Sequence, residues 1–108
     1  MSKVFITQQA PGLDFSQAED FGRVVTIWPH NAQAWSDTTH LADVCTKALA
    51  SYDPEVDYLL PCGDPALMCM AAAEAALLTG GRVRLLKWDR RKGASGGYRV
   101  VNIDLGAA

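Results

Sequence analysis

Asp57-Tyr58-Leu59-Leu60-Pro61-Cys62-Gly63-Asp64-Pro65 carries the switch from extended to helical chain that decides the fold. Asp57-Tyr58-Leu59-Leu60-Pro61 reads as a strand, buried by its composition. Cys62-Gly63 reads as a tight turn. Asp64 then offers a side-chain oxygen to the free N–H groups of a helix start, and Pro65 suits the first helical position, whose N–H has no partner anyway. The helix expected from there reaches about Thr79, where Gly80-Gly81 supplies a left-handed stop.

Upstream, Leu41, Val44, Cys45, Ala48, Leu49 and Tyr52 repeat at the spacing of one helical face, with Ser36 or Asp37 as the cap. Asp53-Pro54 ends that helix, because the residue before a proline is pushed out of helical geometry. Before it, Arg23-Val24-Val25-Thr26-Ile27-Trp28 reads as a strand closed by Pro29, and Lys3-Val4-Phe5-Ile6-Thr7 as another, halted at Pro11-Gly12. Leu13 to Gly22 reads as a loop with one short helical turn. Downstream, Arg82 to Trp88 and Gly97 to Leu105 are strands joined by the polar, glycine-rich Asp89 to Gly96, the pattern of an antiparallel hairpin. Strands alternating with helices call for parallel pairing with right-handed crossovers. The expected architecture is a small three-layer or incomplete Rossmann-like α/β domain over residues 1–108. Its sheet is mostly parallel with a C-terminal antiparallel hairpin, and the two crossover helices sandwich it.

Composition agrees with one such domain: 108 residues, 49% hydrophobic and 20% charged. The apolar stretch after Lys3 breaks at Thr7-Gln8-Gln9, too early for an export signal, so a cytoplasmic location is expected. The longest apolar run, Ala66 to Leu78, contains Glu74 and is shorter than the roughly 20 residues that cross a bilayer, so no membrane role is expected. Cys45, Cys62 and Cys69 match no metal-ligand spacing and read as reduced thiols in the core. No metal or cofactor fingerprint is present. The net charge of −2 conceals an asymmetry: residues 1–81 hold ten acidic and three basic side chains, and residues 82–108 hold two acidic and seven basic. A cationic end of this kind bears on partners rather than on fold.

Three groups of residues invite a functional reading. The first is the strand-end loops, with His30, Cys62, Gly63 and Asp64, because open α/β sheets bind ligands beyond the carboxyl ends of their strands. A Cys–His pair can also make a nucleophile. Against this, Asp64 places negative charge where an anion would sit, and helix capping alone explains it. The second group is the basic hairpin: Arg82, Arg84, Lys87, Trp88, Arg90, Arg91, Lys92 and Arg99, with Tyr98 nearby. Cations beside aromatic rings suit nucleic acid or an acidic protein surface, and they equally protect an edge strand from aggregation. The third is the second helix, which carries one charge in fifteen residues and is apolar all round. Met68, Ala72 and Ala75 are the candidates there for a homodimer or host-protein interface.

From Asp57 to Leu105, and more weakly at Asp14 to Gly22, the chain resembles small accessory proteins encoded by tailed bacteriophages, a family with no settled activity. The resemblance lies in Tyr58-Leu59-Leu60, Gly63-Asp64-Pro65, the alanine-rich helix, Gly81-Arg82-Val83-Arg84-Leu85-Leu86-Lys87-Trp88-Asp89-Arg90 and the closing Ile103-Asp104-Leu105. Cys62 and the insertion at Gly93 to Gly97 depart from the pattern. The resemblance implies an accessory protein acting in a bacterial cytoplasm, where binding host components is a common task. A non-catalytic protein binding a host protein or itself is therefore the leading expectation. Nucleic-acid binding through the hairpin comes second, and a small enzyme or ligand binder at the strand-end loops third.

Overall fold

Alternate side chains of a strand face opposite sides of its sheet, and the first strand apportions the core accordingly. In β1 (Lys3–Gln8) Phe5 enters one apolar cluster, whereas Val4 and Ile6 enter another. The computed structural model describes residues 1–91 and 96–106. The remaining strands are β2 (Arg23–Trp28), β3 (Tyr58–Leu60), β4 (Arg82–Asp89) and β5 (Gly97–Asp104); the α-helices are α1 (Thr38–Ala48) and α2 (Pro65–Thr79). Short 3-10 turns occupy Ser16–Asp20 and Leu49–Ser51.

The strands form one sheet in the order β2-β1-β3-β4-β5. β1 lies parallel between β2 and β3, β3 pairs parallel with β4, and β4 pairs antiparallel with β5 from Arg82↔Asp104 to Asp89↔Gly97. The mostly parallel sheet with its antiparallel terminal hairpin is thus the one read from the sequence. The segment between β4 and β5 is too short for a crossover, which needs a dozen or more residues, so the last strand must reverse.

Both helices lie on the same face, rather than sandwiching the sheet. Phe5, Ile27, Leu59 and Val83 from the strands share a cluster with Leu41 and Cys45 of α1 and Leu67, Ala71 and Ala75 of α2. Handedness explains it. From β2 to β3 and from β3 to β4 the chain advances in one direction along the sheet, and right-handed crossovers then fall on one side. Only the step from β1 to β2 runs the other way. Its connection, with the 3-10 turn Ser16–Asp20, covers the opposite face, where Ala18 is buried against Val4, Ile6, Leu60 and Leu86.

The caps of the two α-helices are those the sequence implies, whereas the turn Ser16–Asp20 has no side-chain cap. Asp64 accepts from the Ala66 amide at 2.9 Å with Pro65 beside it, and Gly80 closes α2 at φ +71°. Asp37 accepts from the His40 amide at the start of α1. At the other end of the sheet the carboxylate of Asp57, 2% exposed, accepts from the amides of Lys3 and Asp53, both at 2.9 Å. It ties the entry of β1 to the turn before β3.

Because β1 sends its connection to one face and β3 to the other, a crevice opens between their carboxyl ends. Here the Gln8 side chain occupies it. Its Oε1 accepts from the Asp64 amide at 2.7 Å, and its Nε2 lies 3.2, 3.2 and 2.9 Å from the carbonyls of Pro29, His30 and Ala32. Gly63, at φ +91°, must be glycine, since a Cβ there would stand 2.3 Å from Gln8 Oε1. Replacing Gln8 by Ala strips partners from several part-buried backbone groups and should cost about 2–4 kcal/mol in urea denaturation. Gly63→Ala should cost a similar amount, whereas Gly12→Ala, with nothing within 4 Å of the added carbon, should cost clearly less.

Candidate functional site

The loop after β3 packs closely on the end of β1. Thr7 Oγ1 accepts from the Cys62 amide at 2.8 Å and donates to the Cys62 carbonyl, while Cys62 Sγ donates to the Gln8 carbonyl at 3.0 Å. Burial pushes the Cys62 thiol up, more than its contacts with Gln8 and Thr7 lower it. It is therefore a protonated thiol at neutral pH rather than a thiolate nucleophile. His30, Gly63 and Asp64 all gather around Gln8: His30 through its carbonyl, Gly63 by close approach, Asp64 through its amide. The His30 side chain is exposed, and the Cys62 thiol engages a carbonyl rather than an imidazole. What the four loop residues build is a closed joint.

The open space lies beside that joint, on the face opposite the helices. A cavity of about 630 Å³ sits at the carboxyl ends of β3 and β4. Leu60 and Leu86 form its floor, Trp88 and Tyr98 one wall, and Leu13 and Phe15 from the loop after β1 another. Cys62 borders it, Asp14, Gln17 and Arg90 contribute polar groups, and Lys87, whose side chain alternates to the other face of β4, borders it along the strand. The structure thus joins Cys62, from the loop group, to Lys87, Trp88 and Arg90, from the hairpin group. The contribution of Leu13 to Gln17 is new. Its signal in the sequence is two large apolar residues, Leu13 and Phe15, in a segment that ought to be polar.

Aromatic contacts fix the hairpin over this face. Trp88 meets Tyr98 edge-to-face at 4.9 Å, Tyr98 meets Phe21 at 6.4 Å, and Phe21 meets Tyr58 at 5.5 Å. Arg84 lies over the Tyr58 ring at 4.1 Å and donates to the Glu55 carbonyl at 3.1 Å. Arg82 pairs with the Glu55 carboxylate, and Asp89 receives both Arg99 and Arg91. Hydrogen bonds from the Arg91 amide and Arg99 hold the Asp89 carboxyl below the usual carboxylate range. Four arginines of the basic group are thus engaged internally. Lys87 and Arg90 make no ion pair among the described residues, and both border the cavity. Lys92 lies outside the described residues.

At α2 one candidate needs correction. Ala75 is fully buried against the sheet with Leu67 and Ala71, because α2 turns that stripe toward Phe5 and Leu59, so it faces no partner. Met68 and Ala72 are half-buried along the flanks. The outward stripe is Ala66, Cys69, Ala73 and Leu77, with Leu77 81% exposed.

The three thiols should differ in reactivity. Cys69 lies on the outward stripe of α2 and is exposed rather than in the core, Cys62 is half-buried with a raised pKa, and burial pushes Cys45 up to about 12. Titration with iodoacetamide at pH 7.5 should label Cys69 first, with Cys62 roughly tenfold slower or more and Cys45 reacting only on unfolding. Cys69→Ala should remove the fast phase. A fast phase that survives it and disappears with Cys62→Ala would mark Cys62 as an activated thiol.

Among the described residues no group of three or more His, Cys, Asp or Glu side chains is placed to hold a metal ion, and no helix is long and apolar enough to cross a membrane. A search of curated proteins gives no match. Comparison with protein families matches residues 2–105, nearly the whole length, to the Phage Pam3 gp32-like protein family. The phage resemblance read from Asp57 to Leu105 and at Asp14 to Gly22 extends, on that match, through β1, β2 and α1, and the chain belongs to the Phage Pam3 gp32-like protein family.

Proposed function

We propose that this phage-family protein is a non-catalytic accessory protein that acts in the host cytoplasm by binding a protein partner through the outward face of α2, with a second copy of itself as the first occupant. The observation that carries the reading is that α2 is apolar on the side turned away from the sheet as well as on the side that packs against it. Ala66, Cys69, Ala73 and Leu77 follow one another at helical spacing without a charge, and Leu78, 48% exposed, adjoins Leu77. A sheet this small covers one side of a helix and leaves the other to water or to another chain. Small side chains let two such helices approach closely, and an uncharged stripe meets its own copy without like-charge repulsion.

The reading against catalysis rests on chemistry. Cys62 is a protonated, carbonyl-bonded thiol, and the Asp64 carboxylate is committed to the first turn of α2. Light scattering should show a dimer that forms with rising concentration, and Ala73→Glu with Leu77→Arg should return it to monomer while keeping the melting temperature of dilute, monomeric wild type. A wild-type chain that remains monomeric at millimolar concentration, and that captures the same proteins from infected cells as the double variant, would overturn the proposal.

A further inference from the structure

The cavity lies on the face of the sheet opposite α2, and its chemistry asks for a different occupant. At about 630 Å³ it falls in the range typical of small-molecule sites and is larger than one side chain fills. Its lining is bipolar. Asp14, on the loop after β1, receives the Ser16 amide at 2.8 Å, and that bond holds its carboxyl below the usual carboxylate range, so it is ionised at neutral pH. Arg90, just past β4, carries the opposite charge without an acidic partner among the described residues. Between these walls Trp88 offers a flat surface, 38% exposed. The indole is fixed from two sides: Tyr98 meets it edge-on at 4.9 Å, and Gly96 packs so closely that a Cβ would stand 2.8 Å from the ring.

Each simple ligand class leaves part of this lining unmatched. A bare anion meets Asp14, a bare cation meets Arg90, and an acyl chain strands both charges against an apolar surface, which is costly. The match is a flat ring with N–H donors at one edge and a negative group at the other end. We propose that the cavity binds a nucleoside monophosphate, its base stacked on Trp88, its exocyclic amino edge at Asp14 and Gln17, and its phosphate at Arg90. Bases stack readily on indole rings, and their edges are read by side-chain acceptors. A carboxylate selects bases that carry an amino group, so AMP, CMP and GMP are preferred over UMP.

The same chemistry has two sources, a free mononucleotide or the phosphorylated end of a strand. Calorimetry on the full chain with the four nucleoside monophosphates, adenosine, inorganic phosphate, a 5′-phosphorylated trinucleotide and an acidic tryptophan-containing peptide distinguishes them. Saturable binding of AMP, CMP or GMP is expected, with adenosine and phosphate each at least about tenfold weaker, because a charge-assisted contact is worth about that factor. Arg90→Gln should weaken AMP about tenfold and leave adenosine unchanged. Asp14→Asn should weaken AMP but not UMP. Both positions are exposed, so both variants should keep the wild-type melting temperature. Tighter binding of the trinucleotide than of any mononucleotide supports the same site chemistry and assigns its source to a strand end. Failure of every nucleotide to saturate at millimolar concentration would overturn the inference, as would phosphate binding as tightly as AMP, or the acidic peptide outcompeting all of them. The α2 face and its dimer are untouched by any of these results.

Discussion

The Gln8 side chain is the contact around which the rest of this structure is arranged. Sheets of this strand order open a crevice where successive connections leave toward opposite faces, and in many α/β proteins a ligand fills it. Here one amide side chain spans it, joining the end of β1 to the turn after β2 and to the amino end of α2. The carboxamide supplies an acceptor for one amide and donors for a set of carbonyls that would otherwise face an empty cleft. Gly63 is drawn in against it, and the Thr7–Cys62 hydrogen bonds close the joint from the neighbouring position.

Closing the crevice moves the accessible volume sideways, to the face that the helices do not cover. Among the described residues that face has the 3-10 turn Ser16–Asp20 as its one helical cover, and the turn does not line the carboxyl ends of β3 and β4. The hairpin adds Trp88 and Tyr98 there, anchored by an edge-to-face series that runs on through Phe21 to Tyr58. Handedness thus has two effects at once. It stacks α1 and α2 on one side, leaving an apolar stripe of α2 outward, and it leaves the other side thinly covered, with a cavity under the hairpin.

The sequence revealed most of this where local chemistry is decisive. Asp64-Pro65 and Gly80-Gly81 bound α2 because caps act over one turn, and the short link between β4 and β5 dictates their reversal. It concealed what depends on long-range placement. Both helices fall on one face because β2 lies outside β1, a pairing that no local pattern states. Ala75 looks identical to Ala73 as a residue type, and only the packing of α2 on Phe5 and Leu59 makes one core and the other surface. Gln8 reads as the polar end of a strand, and its role appears only when Pro29, Asp64 and Ala32 converge on it. The cationic hairpin looks uniformly available as sequence, yet Glu55, Tyr58 and Asp89 engage four of its arginines.

The central claim is that Gln8 fills the switch-point crevice as a structural element rather than standing in for a ligand. Hydrogen exchange of the Gln8 side-chain amide in solution, followed by nitrogen-resolved NMR, tests it most directly. The account predicts a slowly exchanging, shifted carboxamide signal that survives until global unfolding. A Gln8 carboxamide exchanging as fast as that of exposed Gln33, with the Asp64 amide equally unprotected, would show the crevice to be open and contradict the account.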